Sequence, residues 1–265
     1  CIRDSFYSAP ATSEQMAAYT EAVCRNLRHY TSNTVADTLY FGGGTPSLLA
    51  PEQLEQILAC AAACFSIPPD AEITLEANPA TLTPENLRRL RAAGVNRLSL
   101  GVQSLSDAQL RRLGRMHTAQ EALDTVEAAA GAGFRNISCD VMLALPKQTP
   151  AELSETLEQM AQLPIQHISA YLLKIESGTP FARQHAEQEC PDEDTAADLY
   201  LQTVRTLEQA GFRQYEISNF AKTGYESRHN CKYWRCVPYL GIGPSAHSCW
   251  EGKRFFVPVS YTHLT

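Results

Sequence analysis

The sequence predicts an α/β fold with parallel strands, either a sheet or a barrel, and three observations carry the prediction. Short runs rich in β-branched residues alternate with longer stretches of helical pattern. Two of the helical stretches begin with a Thr-Pro pair, Thr83-Pro84 and Thr149-Pro150, in which Thr is a typical N-cap and Pro a typical first helical residue. Gly94 and Gly133 each separate the end of a helical stretch from the next strand. Repeated strand–helix–strand units favour parallel strands joined by right-handed crossovers.

The predicted elements follow one another regularly along the first two thirds of the chain. The strands are predicted at Val35 to Phe41, Ile73 to Glu76, Val95 to Val102, Phe134 to Val141 and Ile165 to Leu173. The helices are predicted at Ser13 to His29, Pro51 to Phe65, Pro84 to Ala93, Ala119 to Ala130 and Pro150 to Leu163. After Leu173 the pattern changes to a polar stretch, one amphipathic helix over Asp192 to Ala210 and a short strand over Tyr215 to Ser218. We interpret residues from about 175 onward as a smaller C-terminal extension beside the barrel.

Composition and charge exclude several classes of protein. The chain of 265 residues has 29 acidic and 22 basic side chains, a net charge of −7, which argues against a nucleic-acid binder with a basic face. The longest apolar run, Ile57 to Phe65, is nine residues, too short to span a membrane. The nine cysteines are thinly spread, unlike the disulfide framework of a secreted domain. We therefore expect a soluble cytoplasmic protein with no nucleic-acid partner and no membrane span.

Candidate binding residues stand at or near the ends of the predicted strands, where parallel barrels place their active sites. Gly42-Gly43-Gly44-Thr45 follows the first strand and would expose backbone amides to a ligand, although a simple turn has the same composition. Glu76 ends the second strand and suits a ribose hydroxyl or an ammonium group, or is merely a solvated acid. Gln103 ends the third strand, and Arg115 follows a short helix. Asp140 lies among apolar residues of the fourth strand, where an acid is destabilising unless paired, so a site role is favoured.

A second group of candidates combines histidine with aromatic residues near the C-terminus. The segment His229 to Trp234 reads HNCKYW, and His247 follows in a glycine-rich stretch. Histidine and aromatic rings together suit a flat ligand such as a porphyrin, with an imidazole available to its iron. The alternative is a capping segment whose aromatic side chains close the barrel.

The motifs YFGGGTPSLL, TLEANP, RLSLGVQS, LGRMHT, DVMLALPKQT, AYLLKIESGTPF, YEISNFA, HNCKYW and YLGIGPSAHS together resemble one known family. It is the HemW haem-chaperone family, part of the coproporphyrinogen dehydrogenase branch of the radical S-adenosylmethionine (radical SAM) proteins. The resemblance runs from Phe6 to about Pro258. It implies a partial, open (β/α)6 barrel over residues 6–174 and a C-terminal extension of the family's type over residues 175–258. It also implies S-adenosylmethionine bound at a [4Fe–4S] cluster that three cysteines hold with the spacing CxxxCxxC.

The resemblance assigns roles to the candidate residues. Gly43, Gly44 and Thr45 match residues that lie along the methionine end of S-adenosylmethionine. Four polar residues match the remaining cofactor contacts: Glu76, Gln103, Arg115 and Asp140. In the HNxxYW motif, His229, Tyr233 and Trp234 match residues associated with haem handling, and His247 is the next candidate.

The cluster loop departs from the family pattern. Cys1 falls on the second cluster position, Asp4 replaces the third cysteine, and the first cysteine and the first barrel strand precede the chain. We therefore expect the cluster only in a full-length parent, meaning this chain extended by the missing loop and strand. Residues 1–5 and 259–265 are interpreted as non-native ends.

Two functions and a third, simpler case follow from the resemblance. The first is a haem chaperone that delivers haem to haem-requiring proteins such as respiratory enzymes, with peripheral membrane association left open. The second is oxygen-independent coproporphyrinogen III dehydrogenase, which decarboxylates propionates by radical chemistry to give protoporphyrinogen IX. The dehydrogenases carry an additional cysteine two residues after the third cluster cysteine, and Phe6 occupies that position here. Together with HNxxYW, Phe6 favours the chaperone. The third is a barrel fragment without independent activity.

Overall fold

A computed structural model describes residues 12–258 of the chain. The expectations for Cys1, Asp4 and Phe6, and for residues 259–265, lie outside the described residues.

The predicted helices are confirmed to within one residue at each end, and the two that follow a Thr-Pro pair have the N-caps that the sequence indicates. Thr83 Oγ1 accepts a hydrogen bond from the Asn86 amide, and Thr149 Oγ1 accepts one from the Glu152 amide. The helices with counterparts in the sequence analysis are α1 (Ser13–His29), α2 (Pro51–Cys64), α3 (Pro84–Ala92), α4 (Asp107–Arg112), α5 (Ala119–Gly131), α6 (Pro150–Gln162) and α8 (Glu193–Gln209). The short helices α7 (Pro180–Arg183) and α9 (Arg228–Trp234) were not predicted.

Within residues 12–258, seven strands form the main sheet, and its central pairs are parallel as predicted. The strands are β1 (Thr38–Phe41), β2 (Glu72–Ala77), β3 (Arg97–Gln103), β4 (Ile137–Leu143), β5 (His167–Leu172), β6 (Arg213–Glu216) and β7 (Asn219–Ala221). Their order is β1-β2-β3-β4-β5-β7-β6, and β2 to β5 pair in parallel. The fold is therefore mixed α/β with a curled, half-barrel parallel sheet, as predicted.

The sheet continues past residue 174 with antiparallel strands. The short strand predicted at Tyr215 to Ser218 begins two residues earlier, as β6, and β7 pairs antiparallel with both β5 and β6. The chain after residue 174 therefore extends the main sheet with β6 and β7. It also forms a separate antiparallel hairpin of β8 (His247–Trp250) and β9 (Lys253–Phe256). The division of the chain at residue 174 stays a prediction.

The chain divides into two compact units. The described part of the first unit comprises Phe41–Leu48 and Thr74–Glu226, and the second comprises residues 12–40, Leu49–Ile73 and 227–258. In the second unit, α1 packs against α2 through buried side chains such as Leu27, Leu54 and Ile57.

Alternation of side chains gives the sheet of the first unit an apolar face and a polar face. Leu75, Leu98, Ile137 and Ile168 are buried on the apolar face, and α5 and α8 pack against β4. Burial of such side chains stabilises the fold by about 1.5–3 kcal/mol each. The polar residues of the same strands project from the opposite face, and two of the predicted site residues, Glu76 and Asp140, are among them.

Candidate functional site

The strand register of the first unit brings the predicted acidic residues to one face of the sheet. Glu76 of β2 is paired with Ser99 of β3, and Ser99 with Ser138 of β4. Residues paired in this way project to the same side, and so does Asp140, two residues beyond Ser138. The carboxylates of Glu76 and Asp140 therefore share the polar face.

The glycine-rich turn after β1 adopts a conformation that favours glycine. Gly43 and Gly44 have φ angles of +78° and +61°, and a Cβ at either position would meet no atom within 4 Å. The Gly43 amide donates a hydrogen bond to Glu76 Oε2 at 3.2 Å. Thr45 is half-buried, and its carbonyl accepts a hydrogen bond from the Leu48 amide. The turn thus presents open backbone beside a carboxylate, as a binding site for a polar ligand requires.

Asp140 is the fourth residue of β4, so it lies inside the strand, not at its end. Burial and, next, the negative charge of Glu76 raise the pKa of Asp140 from its ordinary value of 3.8 to about 7. The Ser169 hydroxyl and the positive charges of Arg97 and Arg115 act in the opposite direction. A strongly shifted acid in a polar site is typical of binding and catalytic residues.

A fixed hydrogen-bonded network lies next to Asp140 on β5, β6 and β7. Ser169 is the register partner of Asp140, and its Oγ donates to Asn219 Oδ1 at 3.1 Å. Asn219 Nδ2 in turn donates to Glu216 Oε2 at 2.6 Å. The network therefore holds the Ser169 hydroxyl, the neighbour of Asp140 on β5, in a fixed orientation.

His117 links the segments that carry three other predicted residues. Its Nδ1 lies 3.2 Å from Asn78 Oδ1, and its Nε2 lies 3.1 Å from the Val102 carbonyl oxygen. Asn78 follows Glu76 by two residues, Val102 precedes Gln103, and His117 itself follows Arg115 by two residues. Burial lowers the pKa of His117, which favours its neutral form.

Gln103 and Arg115 occupy constrained positions near this link. Gln103 is buried and has a left-handed φ of 71°, an unusual conformation for a residue other than glycine. Arg115 is half-buried and close enough to Asp140 to lower its pKa.

In the second unit, α9 contains the HNCKYW segment, and its histidine is held through both ring nitrogens. His229 Nδ1 is 2.9 Å from Thr38 Oγ1, and Nε2 is 2.8 Å from the Tyr233 hydroxyl. The His229 ring also stacks on Tyr40, with centroids 4.8 Å apart. Tyr233 and Trp234 are 43% and 45% exposed, respectively. The arrangement combines an engaged imidazole with an exposed pair of aromatic rings.

His247 is exposed on β8 and stacks on Phe256, with ring centroids 5.5 Å apart. Among residues 12–258, no group of three or more His, Cys, Asp or Glu side chains could hold a metal ion. In the same range, no helix is long and apolar enough to cross a membrane.

Sequence reasoning missed Arg97, His117 and the Ser169–Asn219–Glu216 network. Arg97 and Ser169 each alternate with apolar residues along their strands, so a polar residue within a strand, the signal that identified Asp140, could have pointed to them. His117 and Asn219 gave no such signal, because their importance depends on partners that are distant in the chain.

Comparisons with known proteins agree with this architecture. Residues 5–160 match the radical SAM superfamily. The bovine mitochondrial radical S-adenosyl methionine domain-containing protein 1 is 43% identical over 213 residues, which is 80% of this chain and 48% of that protein. The heme chaperone HemW of Lactococcus lactis is 36% identical over 257 residues, covering 96% of this chain and 68% of the relative.

Among solved structures, the coproporphyrinogen III oxidase HemN of Escherichia coli, a radical SAM enzyme, matches with a TM-score of 0.77 and 26% identity. That match covers 90% of this chain and 59% of the enzyme. The chain spans about half the length of the bovine relative and about two thirds of the Lactococcus one. From the superfamily match and the similarity along nearly its whole length, the chain belongs to the radical SAM superfamily and, within it, to the HemW family.

Proposed function

We propose that this chain is the greater part of a haem chaperone, which binds haem and delivers it to haem-requiring proteins. The observation that carries the proposal is the similarity to the Lactococcus heme chaperone HemW over 96% of the chain, a range that includes α9 and its HNCKYW segment. We propose respiratory enzymes as clients and the cytoplasm as the compartment.

In this proposal the polar face of the first unit holds S-adenosylmethionine. The cofactor and the [4Fe–4S] cluster that the superfamily implies would supply radical chemistry when bound. The exposed Gly43 and Gly44 fit it, because the backbone of this turn can come close to the methionine end without interference from a Cβ. Thr45 adds a hydroxyl next to them.

The remaining predicted contacts would come from four side chains of the same unit. Glu76 and Asp140 provide acceptors for ammonium and hydroxyl groups, and Gln103 and Arg115 provide donors. We propose that Cys1 occupies the second cluster position. The full-length parent would supply the other cluster cysteines.

We propose that α9 provides the haem-handling surface. Tyr233 and Trp234 offer flat apolar area for the macrocycle, and His229 offers an imidazole for its iron. Because Tyr233 hydrogen-bonds to His229 Nε2, the hydroxyl of Tyr233 must move away before that nitrogen can bind iron.

The test measures haem binding by absorbance titration in the full-length parent, followed by transfer to an apo-haemoprotein. His229→Ala should weaken haem binding at least tenfold. It should also lower stability by about 1–3 kcal/mol, because two ring hydrogen bonds are lost. Tyr233→Phe frees Nε2 while keeping the ring, so haem binding should be unchanged or tighter. His29→Ala, at an exposed histidine, is the matched control.

Two results would count against parts of this proposal. If the unsubstituted parent binds no haem, the chaperone function is wrong. If Tyr233→Phe abolishes haem binding, the role given to His229 Nε2 is contradicted, because removal of the hydroxyl should leave that nitrogen free to bind iron. Unchanged affinity in a folded His229→Ala variant would exclude His229, and His247 would be tested next.

The structural similarity to HemN of Escherichia coli supports one alternative, coproporphyrinogen III dehydrogenase. The two functions differ in product. A dehydrogenase would release carbon dioxide from the propionates of coproporphyrinogen III in the presence of S-adenosylmethionine and a reductant. We expect no such turnover from the reconstituted full-length parent.

A further inference from the structure

Three polar side chains form one row on the polar face of the first unit, nearer to the start of the strands than Glu76. Thr74 of β2 is the register partner of Arg97 of β3. The pairing of Leu98 with Ile137 places Asn136, just before β4, beside Arg97. Because Thr74 precedes Glu76 by two residues, the row lies about 7 Å from Glu76 along the strand.

Each member of the row has a buried polar atom with no hydrogen-bond partner within the described range 12–258. These atoms are Thr74 Oγ1, Arg97 Nε and Asn136 Oδ1. The residues Thr74 and Arg97 are 0% and 1% exposed, respectively. Unpartnered buried polar atoms are rare in folded proteins, so three in one row point to a site that can bind a polar ligand.

The charge of Arg97 identifies the kind of occupant. No carboxylate among the described residues forms an ion pair with its guanidinium. The positive charge lowers the pKa of Asp140 and of His167, yet Asp140, the acid of the two, forms no ion pair with Arg97. A buried guanidinium is destabilising unless an anion pairs with it.

We propose that Thr74, Arg97 and Asn136 bind a small carboxylate anion. The planar guanidinium fork matches the two oxygens of a carboxylate, and one negative charge balances one positive charge. The Thr74 hydroxyl can donate to the same oxygens, and the Asn136 amide, rotated by 180°, presents its NH2 group. The site is separate from the cofactor contacts proposed above and does not depend on them.

The experiment measures thermal unfolding of the 265-residue chain in a zwitterionic buffer, with sodium formate or sodium chloride at equal ionic strength. Formate should raise the melting temperature saturably, by about 3–5 °C at tenfold the Kd, and chloride should not.

Arg97→Met should melt higher than the unsubstituted chain without formate, because a buried unpaired charge is removed, and its melting temperature should not respond to formate. The matched control Arg88→Met, at an exposed arginine of α3, should keep the full response.

Thr74→Val provides a second variant of nearly unchanged shape, in case Arg97→Met does not fold. It should retain the fold and weaken the response to formate at least threefold. Binding is checked directly by the line width of carbon-13 formate, which should broaden with the unsubstituted chain and not with Thr74→Val. Equal effects of formate and chloride, or an equal formate response in Arg97→Met, would show that water alone occupies the row and would overturn the proposal.

Discussion

Asp140 makes the stability of the first unit depend on pH. Its pKa of about 7 lies above the ordinary 3.8, so the folded state holds the proton more tightly than the unfolded chain. The destabilisation from ionising Asp140 is therefore absent below about pH 4, grows toward pH 7 and is complete above it. Asp140→Asn should gain stability over the unsubstituted chain by about 1–3 kcal/mol between pH 5 and pH 8, with partial exposure reducing the effect.

Chemical denaturation at several pH values measures this difference. Asp124→Asn, at an exposed acid of α5, is the control and should give a flat difference. A stability difference between Asp140→Asn and the unsubstituted chain that does not change with pH would contradict the argument.

We expect His117 to act as a positioning residue for Glu76, Gln103 and Arg115, because it contacts Asn78 and Val102 next to two of them and follows the third by two residues. His117→Phe keeps a ring of similar size but loses the polar contacts of both ring nitrogens with Asn78 and Val102, one of which is a hydrogen bond donated by the neutral imidazole. We expect a loss of about 1–3 kcal/mol in stability and at least tenfold weaker binding of S-adenosylmethionine to the full-length parent, measured by calorimetry. His29→Phe, at an exposed site, should change neither. Unchanged affinity in a destabilised His117→Phe variant would leave His117 with a purely structural role.

Four of the predicted site residues share a simple property, which explains why the sequence alone could suggest them. Gly43 and Gly44 follow a strand, and Glu76 and Gln103 lie at or next to strand ends. The periodicity of strands and helices is sufficient to find such positions. His117 and Asn219 could not be found in this way, because each acts through atoms on other elements whose proximity depends on the tertiary fold.

At the scale of elements, one carboxylate, that of Glu72, binds two backbone amides at the start of α9. Glu72 accepts hydrogen bonds from the Arg228 and His229 amides, both at 2.9 Å. The helix has seven residues, too few to be stable alone, and a negative charge at its N-terminus is favourable. Glu72→Ala should therefore destabilise the second unit by about 1–3 kcal/mol and accelerate amide hydrogen exchange in residues 228–234.

Glu127→Ala, at an exposed acid of α5, is the control for this substitution. If hydrogen exchange in α9 is as slow in Glu72→Ala as in the control, the helix is held by its other contacts. Those contacts include the ion pair of Lys232 with Asp37. Burial alone would raise the pKa of Asp37, but the Lys232 ammonium lowers it by more, so the pKa of Asp37 lies below its ordinary value.

Elements with local signals were predicted well, and elements defined by long-range pairing were not. The N-caps and first-turn prolines of α3 and α6 are encoded within four residues, so the bounds of those helices followed from the sequence. The placement of β7 between β5 and β6 depends on pairing across about fifty residues. Helix α9 is too short for a period of 3.6 residues to be recognised, and its anchor, Glu72, is remote in the sequence.

At the scale of the whole molecule, the cysteines decide whether this chain can hold an iron–sulfur cluster. Eight of the nine cysteines lie among residues 12–258, where no group of three metal-binding side chains is present. Burial raises the pKa of Cys60 to about 11 and also raises that of Cys139, so both favour the thiol form, which does not bind iron. By the family pattern, Cys1 alone falls in the cluster loop.

Anaerobic reconstitution of the 265-residue chain with iron and sulfide should therefore give far less than one [4Fe–4S] cluster per chain. A radical SAM cluster needs three thiolates, and Asp4 offers a hard oxygen where a soft sulfur is preferred. Iron and sulfide analysis, with electron paramagnetic resonance of the reduced sample, measures the outcome. The matched control is the same chain with its first residues replaced by a CxxxCxxC loop, which should bind about four irons and four sulfides. The same stoichiometry in the unaltered chain would show that its other cysteines can act as ligands.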